Sequence, residues 1–511
     1  MSDNVNVKRI AKNTIMLYVR MLLIMVVSLY TARIVLKVLG IEDFGINNVV
    51  AGVVAMFGFF NSAMTMATQR FLNVEMGKGN SESLNRTFKM AVNIHVLVAI
   101  LVLILSETLG IYLVNSVLNI PLNRLTAANW IFQFAVIGAC FTIIQVPYNS
   151  LIYAREKMNV YAYISIGEAF LKLLLVFLLS IISWDKLVLY GLLILCSQAL
   201  VFLLYFSYCK RKFQESNYSV IWDNSIFKQM AGFMGWNIFG QTAQILTTQG
   251  VNMIANVFYG VVLNAAMGVT NQVNTAVSSF VHNFQTSFRP QIMKSYAADE
   301  INGMNGLVIK ASKMSFYLLY FISVPLMFNI DFVLSVWLEE VPSYSGIFCK
   351  LLIWYTYIEA LGLPLVMSIM ATGKNRNYQI AISLVLSLNL LLTWAFLKLG
   401  FRVETIFIVK IAVSLLALFI RLSFAQKQAD MSITSFFKYS LKPIIYVLII
   451  TQPCYYIFQH YYDKGGGWLW LLLTLILEIV IVSTIYFVGM TSNERLFVKN
   501  GINKFINRNN R

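Results

Sequence analysis

Polar side chains set inside long apolar runs are the residues of this chain with chemistry to do. Some are charged. Glu168 and Lys172 stand one helical turn apart midway along one run, in the Glu-then-Lys i,i+4 order that helices favour. Arg20, Arg33 and Lys410 lie within a turn or two of the ends of theirs, while Glu359 and Glu478 sit mid-run without a local partner. A charge at the centre of a membrane helix costs roughly 2.5–3.5 kcal/mol even on the lenient insertion scale. It is kept because it pairs, because a long side chain snorkels to the surface, or because it serves a substrate or ion path. Glu168 and Lys172 fit the first role, Arg20, Arg33 and Lys410 the second or third, and Glu359 is the candidate coupling acid.

Other polar groups form uncharged stripes. Between Gln229 and Phe288 there is no Lys, Arg, Asp or Glu. Within that stretch Asn237, Gln241, Gln244, Thr248 and Asn252 recur every three or four residues. At about 100° per residue they fall within about 80° of a helix circumference. Asn264, Gly268, Asn271, Thr275 and His282 repeat the pattern, and Asn47, Gly58, Asn61, Thr65 and Thr68 carry a weaker form. Amides turned to lipid are costly, so these stripes face protein or water. Polar glue between packed helices would explain any one of them. Three stripes on corresponding helices predict a shared hydrated cavity between two halves of the chain.

The elements that carry these residues are membrane helices. Roughly 20 apolar residues cover the hydrocarbon core at 1.5 Å each. Fourteen runs qualify: 14–38, 44–69, 87–114, 126–152, 158–183, 187–209, 229–256, 260–286, 311–336, 346–371, 377–398, 403–425, 439–461 and 468–489. A chain that is 59% hydrophobic and 12% charged, with mean hydropathy +0.71, is no soluble domain. The fold class is an all-α polytopic membrane protein.

Lys and Arg of the linkers mark the cytoplasmic side. They gather in alternate linkers, as Arg70 to Lys89, Arg155 and Lys157, Lys210 to Lys228, Arg289 to Lys313, Lys374 and Arg376, and Arg421 to Lys442. The other linkers are cation-poor and often acidic, as at Glu42–Asp43, Asp185 and Glu339–Glu340, with Lys398 and Arg402 the exception. Both termini are then cytoplasmic, which requires an even number of spans. The net charge of +17 is explained by this placement next to anionic lipid, without nucleic acid. None of the five cysteines has a metal-type spacing, and three histidines assemble no triad. No phosphate-binding loop, metalloprotease helix or nucleophile elbow occurs, and the outer linkers are too short to build a catalytic domain. No catalysis, cofactor or metal is expected.

The chain repeats itself. Pro147, Ala154, Lys157 and Tyr161 match Pro364, Ala371, Lys374 and Tyr378 at an offset of 217. Gly45 pairs with Gly260 at 215 and Arg70 with Arg289 at 219. Spans 1–6 and 7–12 are thus two six-helix copies. Because six is even, both enter the membrane in the same sense, as parallel repeats. The expected domains are a first lobe over 1–220, a second over 221–430, a two-helix appendage over 431–490 and a basic cytoplasmic tail over 491–511.

Helix 1 with its arginines, the turn Leu39–Gly45 (LGIEDFG), the segment Phe288–Glu300 (FRPQIMKSYAADE) and the linker Ala371–Tyr378 (ATGKNRNY) carry a resemblance. Together they are similar to the Wzx-type flippases of the multidrug/oligosaccharidyl-lipid/polysaccharide exporter superfamily, over nearly the full length. The resemblance implies a MATE-like architecture in the bacterial inner membrane. It implies that a lipid-linked oligosaccharide, an undecaprenyl-diphosphate-linked repeat unit, crosses between leaflets by alternating access for O-antigen, capsule or exopolysaccharide. The partners implied are that substrate, membrane lipids and a polysaccharide-assembly polymerase. Such a task needs an amide-rich cavity for sugar, cations for diphosphate and an opening for the polyprenyl tail. Arg20, Arg33, Lys172 and Lys410 are the diphosphate candidates. Asn61, Asn237, Gln241, Gln244, Asn252, Asn271 and His282 are the cavity-lining candidates. One departure is that spans 7 and 8 lack the extra cations often found in the family, which favours a clamp centred on the first repeat. Two competitors are a Na+- or H+-coupled drug or metabolite exporter of the same superfamily and the sister flippase of the peptidoglycan precursor. The first should centre its cavity on acids, whereas here cations at least match acids.

Overall fold

A computed structural model describes residues 2–77, 80–155, 157–286, 288–373, 376–462, 469–492 and 494–496. They are built from helices, with no strand among them. The helices in order are α1 (Ser2–Ala55), α2 (Gly58–Gly77), α3 (Ser81–Leu105), α4 (Leu125–Ala154), α5 (Met158–Ile181) and α6 (Lys186–Lys212). Then come α7 (Asn224–Tyr259), α8 (Val261–Thr286), α9 (Arg289–Ala297), α10 (Ile301–Phe328), α11 (Ile330–Trp337) and α12 (Ser345–Ala371). The last are α13 (Arg376–Lys398), α14 (Thr405–Ala429), α15 (Ile433–Phe436), α16 (Lys442–Tyr462) and α17 (Leu469–Thr484). All fourteen predicted runs fall on helix. Among the described residues eleven helical segments are long and apolar enough to cross a membrane. α7 and α8, which carry the amide stripes, are not among those eleven. The chain is a multi-pass membrane protein.

Local chemistry sets the helix ends. Asn80 accepts from the backbone of Glu82 and Ser83, Asp185 from Leu187 and Val188, and Asp223 from Ser225 and Ile226, so each caps the free N–H groups of the next helix. The repeat shows in the element boundaries. α4 ends at Ala154 and α12 at Ala371, each with an internal proline near its end, Pro147 and Pro364. One equivalence needs correction. Inside α1 the backbone breaks at Gly40 (φ 75°, ψ 172°), and α7 gives way to α8 at Gly260 (φ 72°, ψ −171°). Only glycine holds that conformation readily. The repeated turn is therefore Gly40 with Gly260, and Gly45 lies in the helix beyond. A Cβ on Gly45 would sit 1.9 Å from the carbonyl oxygen of Val261, so glycine lets the two chain segments touch.

The chain forms two compact units. The first comprises Met1–Val269, Trp337–Ser345 and Ser387–Ile406, and the second Thr270–Val336, Gly346–Leu386 and Phe407–Arg511. In the first unit α7 and the start of α8 pack with the first six helical segments. The amide stripe explains part of that. Asn256 Nδ2 donates to Asn264 Oδ1 (2.8 Å), Asn264 Nδ2 to Asn252 Oδ1 (2.8 Å), and the Asn119 backbone to Asn256 Oδ1 (2.7 Å). The first unit's core sets Phe88 edge-on to Tyr148 and closes with Leu151 and Tyr205. The second packs Phe316, Tyr320 and Tyr357 together between α10 and α12.

Candidate functional site

Inside the first unit lies a cavity of about 370 Å3. Asn47, Val50, Ala51 and Val54 of α1 face Ile131, Ala135, Ala139 and Thr142 of α4, and Tyr190, Gly191 and Gln198 of α6 complete the wall. Asn61 of α2 and Val102 of α3 close it. Small residues make the space. A Cβ on Gly138 would sit 1.7 Å from Gln198 Oε1, so glycine at 138 is what allows the amide to lie between α4 and α6. Among the described residues no charged side chain lines this cavity, and its polar groups are three amides and two hydroxyls. Gln198 Oε1 is buried without a hydrogen-bond partner, an acceptor short of a donor.

On α5, Lys172 Nζ lies 2.6 Å from Glu168 Oε1, both side chains being about one-third exposed or more (40% and 34%). At the junction of three helix ends Arg124 holds two acids at once. Its Nε and Nη2 donate to the two carboxylate oxygens of Asp43 (2.8 and 2.5 Å), and its Nη1 to Asp185 Oδ2 (2.6 Å). That bond holds the Asp185 carboxyl below the usual carboxylate range. In the sequence both acids stand out as linker residues, whereas the arginine between them carries no pattern.

The second unit holds a different set. Glu359 of α12, without a partner nearby in sequence, has two from α14: Arg421 Nη2 at 3.0 Å from its Oε2, and Ser414 Oγ donating to its Oε1 at 2.6 Å. Arg421, taken with the linker cations, is corrected to a buried residue inside α14, packed against Gly362. Its Nε and Nη1 have no hydrogen-bond partner. Lys410, one face along the same helix, stacks its ammonium 4.4 Å from the centre of the Tyr355 ring. A matched pattern would have found this cluster. Lys410, Ser414 and Arg421 share one face of α14, and Tyr355, Glu359 and Gly362 share one face of α12.

The remaining candidates scatter. Asn252, read as lining water, is buried in the amide ladder of the first unit and serves packing. Asn271 and His282 are exposed on α8, and Arg33 is half-buried on α1. The side chains of Arg20, Asn237, Gln241 and Gln244 lie outside the described residues.

No family model matches the chain, and no curated protein sequence matches it. Solved structures do. A multidrug resistance MATE family transporter of the MOP superfamily in an inward-facing conformation aligns with TM-score 0.62 at 13% identity, over 78% of this chain and 94% of that one. The lipid II flippase MurJ in an inward closed conformation aligns with TM-score 0.62 at 14% identity, over 93% and 99%. A MOP superfamily transporter from Pyrococcus furiosus, described with a binding pocket of reversed polarity, aligns with TM-score 0.59 at 12% identity, over 82% and 96%. The chain has the fold shared by these MATE and MurJ transporters.

Proposed function

We propose that this protein is a transporter that flips undecaprenyl-diphosphate-linked oligosaccharide repeat units across a bacterial inner membrane by alternating access, with both termini cytoplasmic. The observation that carries the reading is the charge-free, amide- and hydroxyl-lined cavity of the first unit. Sugar hydroxyls both donate and accept. Asn47, Asn61 and Gln198 offer both functions at fixed positions, and a hydroxyl would satisfy the orphan acceptor of Gln198. A cationic drug would find no counter-charge here, since no acid lines these walls among the described residues. For the diphosphate the candidates remain Arg20, Arg33, Lys172 and Lys410. Lys172 and Lys410 already have partners, a carboxylate and an aromatic ring, that a stronger anion would have to displace.

Asn61→Leu and Gln198→Leu, each close in volume, test the reading. Loss of a hydrogen bond worth about 0.5–1.5 kcal/mol should cut surface-glycan export roughly 2- to 12-fold per site at unchanged protein level. Export equal to that of the unaltered protein in both variants contradicts a sugar role for the cavity. A second reading, export of a small organic molecule, rests on the cavity's size. At about 370 Å3 it falls in the range of about 300–1,000 Å3 typical of small-molecule pockets. Retained export of neutral dyes by cells lacking any glycan defect would favour that reading.

A further inference from the structure

The second unit contains another cavity, of about 210 Å3, that none of the predicted site residues touches. It is walled by α10, α12 and α16. α12 contributes Lys350 and Trp354 from a face of its own. Its other faces are taken up by α8, through Thr356 with Asn274, and by α14, through Tyr355 with Lys410 and Glu359 with Arg421. Lys350 lies five residues into α12, about 8 Å from the helix start at 1.5 Å per residue. That is the depth at which Lys, Trp and Tyr gather at a membrane surface.

The pocket is amphipathic by construction. Its inner wall is apolar, with Val324 and Met327 of α10. The hydroxyls of Tyr357 and Tyr455 are turned away to protein partners, Ser323 Oγ at 2.6 Å and the Met327 carbonyl at 3.3 Å, so those residues offer rings. The other polar groups of the wall are the amides of Gln452 and Gln459, the Trp354 indole N–H, the Tyr456 hydroxyl and the ammonium of Lys350, the one charged side chain among the described lining residues. Gln452 Nε2 donates to the Tyr320 hydroxyl at 3.1 Å. Among the described residues the acid on Lys350 is Asp331, 3.8 Å away and 79% exposed, a loose pair that an anion can displace.

We propose that this pocket binds an anionic glycerophospholipid, its phosphate on Lys350 and Gln459 and the start of an acyl chain against Val324 and Met327. Two cationic-site variants of opposite sign follow. Lys350→Gln removes the charge that holds the phosphate, and Asp331→Asn removes the carboxylate that competes for it. The experiment places the full chain in phosphatidylcholine nanodiscs doped with phosphatidylglycerol and counts retained lipid by native mass spectrometry. The unaltered protein should retain phosphatidylglycerol over phosphatidylcholine. Lys350→Gln should lower that preference about tenfold, the loss of one charge-assisted hydrogen bond. Lys350→Arg should keep it, and Asp331→Asn should raise it. Inorganic phosphate added in excess should not displace the lipid, because it gains nothing from the apolar wall. Equal preference in the unaltered protein and Lys350→Gln overturns the proposal, as does a fall in Asp331→Asn. Displacement by free phosphate overturns the lipid as the source of the anion. Should Lys350→Gln fail to fold, Asp331→Asn and Lys350→Arg still decide.

Discussion

Two ion pairs inside the membrane helices show how differently the same chemistry can be used. Glu168 and Lys172 are neighbours on one helix, one turn apart, with about a third or more of each side chain exposed (34% and 40%). Glu359 and Arg421 come from two helices, with the arginine side chain only 9% exposed and the glutamate 28%. The first pair forms as soon as α5 does, and it stays accessible to a ligand. The second exists only when α12 and α14 have docked, and its arginine is sealed. An exposed pair is worth about 0–1 kcal/mol, whereas breaking a buried one from one side costs about 3–5 kcal/mol. The buried pair therefore reads as an assembly element of its unit, and the exposed pair as a cation held ready.

Arg421→Met should break this comparison hardest. It leaves Glu359 half-buried beside Ser414 without a counter-charge, and a loss of up to about 3–5 kcal/mol should appear as a large fall in thermal unfolding temperature in detergent. Glu359→Gln together with Arg421→Met should recover most of that fall, since no unpaired charge remains. A fall in the double variant as deep as in the single one would show that Glu359 does not depend on Arg421.

Lys172→Met gives the smaller physical effect and the sharper functional one. Unfolding temperature should move little, by the equivalent of about 0–1 kcal/mol. Glycan export should still be lost if the ammonium offsets the charge of a diphosphate. Glu168→Gln combined with Lys172→Met separates the roles. Restored export in that double variant would mean that Lys172 only neutralises Glu168, and the diphosphate role would pass to the remaining cations.

The helices were legible because long apolar runs and internal prolines write themselves into sequence, and all fourteen runs fall on helix. The glycine turn was harder. The letters around Gly45 and Gly260 look alike, yet the property that repeats is a positive φ, held at Gly40 and Gly260. The Glu359 partner was hidden by distance, since Arg421 lies 62 residues on and sits near a cation-rich linker. For Asn252 of the α7 stripe, spacing gives a face and not what covers it. Asn252 and Asn264 stand on opposite sides of the Gly260 turn, and a tight hairpin brings them within hydrogen-bond reach. The cavity of the first unit was half legible: Asn61 belonged to a predicted stripe, but Gln198 is a single amide in an apolar helix and carries no pattern.

The most direct test of the central claim is reconstitution. The purified chain is placed in liposomes carrying a fluorescent undecaprenyl-diphosphate-linked oligosaccharide, and the label in the outer leaflet is destroyed by an impermeant reductant. Flipping predicts that the protected inner pool drains through the protein, and that Asn61→Leu and Gln198→Leu slow the drain. A pool that stays protected, in liposomes whose protein still exports a small dye, would contradict the account.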